Sequence, residues 1–342
     1  MIRHKITYNM VDSASTDSPL EAAAGAAGPR AVEAFSVLGN ETRLSILLAL
    51  WEVYEPSAED NAVPFSELRD MVGMSDSGQF NYHLDKLAGN FIRKTDDGYE
   101  LRNVGHQIVG TVIGGIGIEE PKFEPTELDS GADELAYPRG SQSTCFWCGA
   151  PNEIRYQDGA LELFCTECEG NFGEGRQGGG FFQPAGFIDR TPEQAWYAHF
   201  SKAQHKALSA VEGVCPRCTG PVDTSLQICE EHAAEGLCDN CGAVFAILFR
   251  SRCRVCKDWH GGPPKWMVNF HPDVVGFYSE RGVQYQFTSD AGFGPHVLDL
   301  DNEQKVVSDE PLRVGLRYEY EGDRLEVLVD EEMNVLEVTE PD

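Results

Sequence analysis

The sequence predicts an α+β protein of several domains, and three patterns predict it. Between residues 31 and 102 apolar residues recur at helical spacing and then give way to an Asp-Gly hairpin signal. Ten of the eleven cysteines fall into Cys-x-x-Cys pairs: Cys145/Cys148, Cys165/Cys168, Cys215/Cys218, Cys238/Cys241 and Cys253/Cys256. Near the C-terminus Leu312, Val314, Leu316, Tyr318 and Tyr320 alternate with Arg313, Gly315, Arg317 and Glu319, as on a strand with one buried face. At 342 residues, a prior of ~150 residues per domain leaves room for two or three.

Residues 1–29 are small, polar and Ala/Gly-rich, and are expected to be disordered. Residues 30–118 form the first domain. A short helix over 31–39 precedes an amphipathic one over 41–53, where Leu44, Leu47, Leu48 and Trp51 share a face. Leu68, Met71 and Val72 mark a third helix, with Ser66 placed to cap it. A fourth starts at Ser75/Asp76/Ser77, runs to about Gly89, and turns Phe80, Leu84 and Leu87 inward. In "FIRKTDDGYELR" the pair Asp97-Gly98 reads as a two-residue turn between short strands. A last helix covers 103–117, and this order of helices and hairpin is that of a winged helix-turn-helix.

In that architecture the fourth helix enters the major groove and the hairpin touches the backbone. Ser77, Gln79, Asn81, Tyr82 and Lys86 lie on the arc opposite the apolar face, and Arg93 and Lys94 lie on the hairpin. Asn and Gln can pair with adenine edges, and the cations can meet phosphates. His83 points toward the core side and is expected to be structural. From Ala31 to Arg102 there are thirteen acidic and six basic residues, which runs against the usual basic footprint of a DNA-binding module.

The segments "VLGNETRLSILLALW", "PFSELRDMVGMS" and "FNYHLDKL" resemble ArsR-like winged-helix regulators, in which a His-Leu pair sits midway along the recognition helix, matched here by His83 and Leu84. A winged helix followed by zinc knuckles in a very acidic chain resembles haloarchaeal members of that group. The resemblance covers about a quarter of the chain. It departs at the third helix, where metal-sensing members carry a Cys-x-Cys-type motif and "ELRDMVG" has no thiol. Metal sensing at that helix is therefore not expected.

An acidic, Pro-punctuated linker over 119–144 leads to the cysteines. Cys145/Cys148 and Cys165/Cys168 have the spacing of a four-thiolate zinc ribbon over 145–170, with Asp158-Gly159 turning its strands. Residues 171–213 are a loop and a connecting helix, opened by the capping box Thr191-Pro192-Glu193-Gln194. Over 214–258 two further knuckle modules are expected. Cys229, the unpaired cysteine, precedes His232 by three residues, so eleven cysteines and one histidine supply twelve ligands for three tetrahedral sites. Two pairings compete. The sequential one joins Cys215/Cys218 to Cys229/His232 and Cys238/Cys241 to Cys253/Cys256; the interleaved one joins Cys215/Cys218 to Cys238/Cys241 and Cys229/His232 to Cys253/Cys256. Shorter loops favour the sequential form. With every position filled by protein, the zinc is structural.

The remaining motifs carry less. "GEGRQG", Gly173 to Gly178, has the letters of a dinucleotide loop but follows a knuckle and opens no helix, so that role is rejected. "GTVIGGIG" reads as a helix end, and His199 and His205 do not share a ligand face. No catalytic constellation stands out, and no enzyme is expected. Residues 259–342 are expected to form a small α+β module with a helix in "HPDVVGFYSERG" and strands near 312–320, 324–329 and 334–339.

With 56 acidic against 27 basic residues, nine of them Lys, the net charge is -29. Such an excess suits a cytoplasm of molar salt, where the Debye length shrinks to ~3 Å. The expectation is a cytoplasmic, halophilic transcriptional regulator whose partners are double-stranded DNA, a second copy of the chain and the transcription machinery. The alternatives are a general transcription component resembling archaeal transcription factor E, and a zinc-ribbon protein that binds proteins or RNA.

Overall fold

The computed structural model describes residues 28–58, 60–128, 143–145, 147–233, 235–282 and 304–341. Most of the expected disordered N-terminus and of the linker lies outside them. The described residues form a mixed α/β chain with four small sheets and divide into two compact units, one ending at Ile118 and the other beginning at Glu119.

In the first unit, α1 (Pro29–Leu38), α2 (Glu41–Glu52), α3 (Phe65–Val72) and α4 (Ser77–Leu87) precede a hairpin of β1 (Ile92–Lys94) and β2 (Tyr99–Leu101), and α5 (Asn103–Gly115) closes the unit. Asn40 caps α2 by accepting from the Arg43 N–H, and Asp76 caps α4 by accepting from Gly78 and Gln79. Phe80, Leu84 and Leu87 are fully buried with Ile46, Leu47, Leu68 and Phe91 in one core. Three local expectations need correction. Leu44 and Leu48 do not lie on the buried face of α2: they are exposed, and the helix buries Ile46, Leu47, Ala49 and Leu50 instead. Ser66 lies inside α3 and does not cap it: Pro64 is the cap, with its φ of -57° already suited to helix entry. The hairpin turn sits one residue early, because Thr95 N–H donates to Gly98 O at 2.8 Å and leaves Asp96-Asp97 as the two central residues.

Gly98 has a different task from the one its turn motif suggests. Val63 pairs with Tyr99 in an isolated antiparallel bridge, which lays the chain before α3 against the hairpin. A Cβ on Gly98 would stand 2.1 Å from the Val63 carbonyl oxygen. Gly98→Ala is therefore expected to destabilise this unit by about 1–3 kcal/mol, the usual range for an overpacked site. Thermal melting of the variant checks this, and an unchanged midpoint would refute the argument.

The second unit begins with the sheet β3 (Thr126–Glu127), β4 (Asn152–Gln157), β5 (Ala160–Cys165) and β6 (Arg176–Phe181), paired in that order. Asp158 and Gly159, both at positive φ, turn β4 into β5 as expected. A helix, α6 (Pro192–Val211), follows with both halves of the Thr191/Gln194 capping box formed. Next come β7 (Val222–Ile228), β8 (Ile247–Cys253) and β9 (Trp259–Gly262), one antiparallel sheet, then α7 (Lys265–Val268) and α8 (Pro272–Glu280). Four strands end the unit as a meander: β10 (Gln304–Asp309), β11 (Leu312–Tyr320), β12 (Asp323–Asp330) and β13 (Val335–Thr339).

Val314, Leu316 and Tyr318 of β11 face inward, as their alternation requires. They do not form a core of their own. Ile247 and Phe249 of β8, Met267, Val274, Phe277 and Tyr278 join them in one cluster with Leu325, Val327 and Val329. The Leu226 N–H also donates to Glu331 O at 3.0 Å. The β7–β8 hairpin is thus packed on the C-terminal meander.

Candidate metal centres

The twelve expected ligands gather into three groups of four, and in each group the ligand atoms lie within 4.8 Å of one another. The first is Cys145, Cys148, Cys165 and Cys168. The other two correct both pairings weighed from the spacing. Cys215 and Cys218 join Cys253 and Cys256, and Cys229 and His232 join Cys238 and Cys241.

The arrangement is nested, and the hairpin explains it. Val222 of β7 pairs with Cys253 at the end of β8, so the knuckle just before β7 meets the knuckle that begins where β8 ends. At the other end Ile228 pairs with Ile247, and the Cys229 N–H donates to Ala246 O at 2.8 Å. The chain between, residues 229–246, folds back on itself to close the inner group. Closure entropy does not select this grouping; strand pairing does. Only residues 233–237 separate His232 from Cys238, and closure cost rises slowly with length, so a long outer loop is tolerated once the strands pair.

The donor set fits a tetrahedral soft metal. Sulfur–sulfur distances are 3.5 Å for Cys145–Cys168, 3.4 Å for Cys148–Cys165, 3.6 Å for Cys215–Cys256 and 3.5 Å for Cys218–Cys253. These exceed a disulfide's ~2.05 Å and approach the ~3.8 Å edge of a tetrahedron with ~2.3 Å metal–sulfur bonds. Backbone N–H groups point at the sulfurs, among them Cys168 to Cys165 at 3.3 Å and Val255 to Cys253 at 3.3 Å. Such donors stabilise thiolate charge. In the inner group Nδ1 of His232 faces Cys241 Sγ at 3.4 Å while Nε2 lies 3.3 Å from Val244 O. With Nε2–H donating to that carbonyl, Nδ1 is left unprotonated to bind metal.

Without a cation, charge accumulates unevenly in these groups. Burial raises the Cys165 thiol, but N–H groups of Cys168 and Glu167 and neighbouring thiols bring it down to about 7; burial and the same cluster push Cys168 up to about 12. In the outer group of the hairpin, N–H donation from Cys256 leads the fall of Cys253 to about 6, and burial leads the rise of Cys256 to about 12. Lowered and raised thiols thus stand side by side in one group, an imbalance that a divalent cation would remove by favouring the thiolate at every ligand.

Supporting residues that the spacing did not single out hold the ligands. Gln177 is buried and donates to Cys145 Sγ at 3.0 Å, and Asn240 donates to Cys229 Sγ at 3.4 Å. Gln177 lies within "GEGRQG", the motif rejected as a dinucleotide loop. Its glycines serve the knuckle: a Cβ on Gly175 would stand 2.6 Å from Cys165 O, whose own N–H donates to Gly175 O. His199 and His205 of α6 join no group. Burial and the charges of Lys202 and Lys206 hold His199 at about 4, while His205 is exposed on the helix with Nδ1 at 2.8 Å from Ser201 O.

In the first unit Ser77, Gln79, Asn81, Tyr82 and Lys86 of α4 are all exposed, as are Arg93 and Lys94 on β1. Asn81 donates to Asp85 at 3.1 Å, the Lys86 ammonium sits over the Tyr82 ring, and Arg93 is held by Glu100. His83 is buried, and desolvation, followed by the charge of Arg43, lowers its pKa. Among the described residues no helix is long and apolar enough to cross a membrane.

Residues 31–112 match a second family, described as a domain of unknown function (DUF7347). Comparison with curated proteins and with solved structures found no significant match. Residues 142–335, more than half of the chain, match the family described as a domain of unknown function (DUF7351), from just before the first ligand group into β13, and the chain belongs to that family.

Proposed function

We propose that this protein is a DNA-binding regulator of transcription, with a winged helix-turn-helix in its first unit and three structural zinc sites in its second. The observation that carries the reading is the geometry of α3, α4 and the β1–β2 hairpin. Helix α4 buries Phe80, Leu84 and Leu87 and leaves a polar arc of Gln79, Asn81, Tyr82 and Lys86 outward, beside a hairpin that carries exposed Arg93 and Lys94. This is the layout a groove-reading helix and a backbone-touching wing require. Burial of His83 fits the resemblance to ArsR-like regulators, since a His-Leu pair that packs inward fixes the helix and leaves readout to its neighbours.

Zinc is the metal the donors favour, because eleven thiolates and one imidazole make a soft set with no open position. Its task here is to hold knuckles and hairpin together. Exposed apolar side chains on the terminal helices of the first unit, Phe35 on α1 and Val112 on α5, support association with a second copy. The cytoplasm is the compartment in which eleven cysteines stay reduced for metal.

Selection of a preferred duplex followed by binding assays tests the reading. Asn81→Ala or Gln79→Ala is expected to weaken the selected site by about 1–3 kcal/mol and relax preference at one base pair, whereas Lys94→Ala weakens all duplexes alike. Indistinguishable losses for the three variants on every duplex would reject readout by α4.

A further inference from the structure

The sheet β7–β8–β9 has two unlike faces. Val222, Thr224 and Leu226 of β7 and Phe249 and Ser251 of β8 turn toward the meander, and the other face is open. On that open face Arg250 and Arg252 project from β8, and Trp259, 62% exposed, projects from β9 directly opposite Arg252. The Arg250 guanidinium lies 5.8 Å from the Trp259 ring centroid. Gly261 stands opposite Arg250, and the indole lies over it, with Trp259 Cζ3 3.5 Å from where a Cβ would be.

Charge distinguishes this face from the rest of the chain. Residues 249–260 hold four basic residues, Arg250, Arg252, Arg254 and Lys257, against one acid, Asp258, in a protein of net charge -29. Nearby acids are already committed. Asp223, opposite Arg252 in the ladder, is gripped through both oxygens by Arg254 at 2.8 Å, and Asp258 pairs with Lys206 at 3.1 Å. Among the described residues no carboxylate pairs with Arg250 or Arg252. An exposed indole between two unneutralised guanidiniums offers a flat apolar surface flanked by positive charge.

We infer that this face binds single-stranded nucleic acid, with one base stacked on Trp259 and the flanking phosphates held by Arg250 and Arg252. A base presents a π-face whatever its identity, and the backbone supplies the negative charge. A duplex keeps its bases stacked on each other and cannot offer one to a ring on a sheet. An acidic polypeptide would satisfy the arginines and leave the indole in water. This surface is separate from α4, so it adds a second nucleic-acid contact to the proposed regulator and does not depend on it.

Fluorescence anisotropy of the zinc-loaded full chain with labelled thymidine and uridine oligonucleotides tests the inference. Wild type binds single strands, and a duplex of equal length competes at least tenfold less well. Trp259→Ala weakens binding about tenfold, within the range for loss of one stacked base, while Trp259→Phe retains most of the affinity because a phenyl ring also stacks. The double variant Arg250→Ala/Arg252→Ala lowers the salt slope of log K by about 1.4, two phosphate contacts on a single strand. Wild-type zinc content in each variant establishes that the sheet has formed. A preference for uridine or thymidine shows whether RNA or DNA is the source. Absence of single-strand binding, unchanged affinity of Trp259→Ala, or equal competition by duplex or polyglutamate each overturns the proposal. Trp259→Ala is read on single strands and Asn81→Ala on the selected duplex, so failure here and failure of the α4 reading are separate results.

Discussion

Replacing Cys229 and Cys241 together by serine is expected to remove one metal ion per chain and leave two, whereas replacing Cys218 and Cys229 together removes two. The nested grouping dictates this, because Cys229 and Cys241 share a site while Cys218 belongs to the outer one. Sequential pairing would give the reverse result, and interleaved pairing would cost two ions in both variants. Elemental analysis of protein purified without chelator reads the outcome directly. The effect is large, since a structural zinc contributes roughly 10–16 kcal/mol to the folding of its own small module. Stability should also divide. Loss of the inner site frees residues 229–246 and leaves the paired strands, while loss of the outer site opens the end of β8 at Cys253 and strains the core that Phe249 and Ile247 share with the meander.

Chelation of all three ions is the second large effect. Treatment with a strong chelator is expected to unfold the second unit and leave the first folded. The first unit has a core running from Val37 to Val109 that includes no ligand residue. In the second, Cys145 and Cys165 form a small buried cluster themselves, and β8 runs from the shared core into Cys253. Circular dichroism would show helix from α1 to α5 surviving with its own melting transition after the metal is gone. Complete collapse of helical signal at the same chelator concentration would contradict the independence of the two cores.

How far the sequence could be read follows from the range of the forces involved. Helix α4 was legible because Phe80, Leu84 and Leu87 mark one face and Asp76 marks its start, all within one element. The twelve ligands were legible because metal geometry fixes residue type and local spacing. Their grouping was not, because it is decided by the pairing of β7 with β8, and the alternation in "VDTSLQI" and "ILFRSRC" does not say which strand pairs with which. Strand β10 escaped notice for a similar reason: "QKVVSD" becomes a strand by pairing with β11, a neighbour with a much clearer alternation. Asp97-Gly98 misled because its glycine serves the approach of Val63, a residue thirty-five positions away, and not the turn. The boundary expected before residue 259 fell inside a shared core, since burial of Phe249 against α8 and β11 is a tertiary fact.

The nested hairpin also gives assembly a direction. The inner ligands are separated by only residues 233–237, so their encounter is a local event that an otherwise unfolded chain can achieve at little entropic cost. The outer ligands stand across the whole hairpin, from Cys218 to Cys253, and meet readily only after the strands have registered from Ile228/Ile247 down to Val222/Cys253. A metal captured at the tip would therefore act as the first stitch of a seam: it would set the register, the ladder would close away from it, and a second metal would lock the far end against the meander.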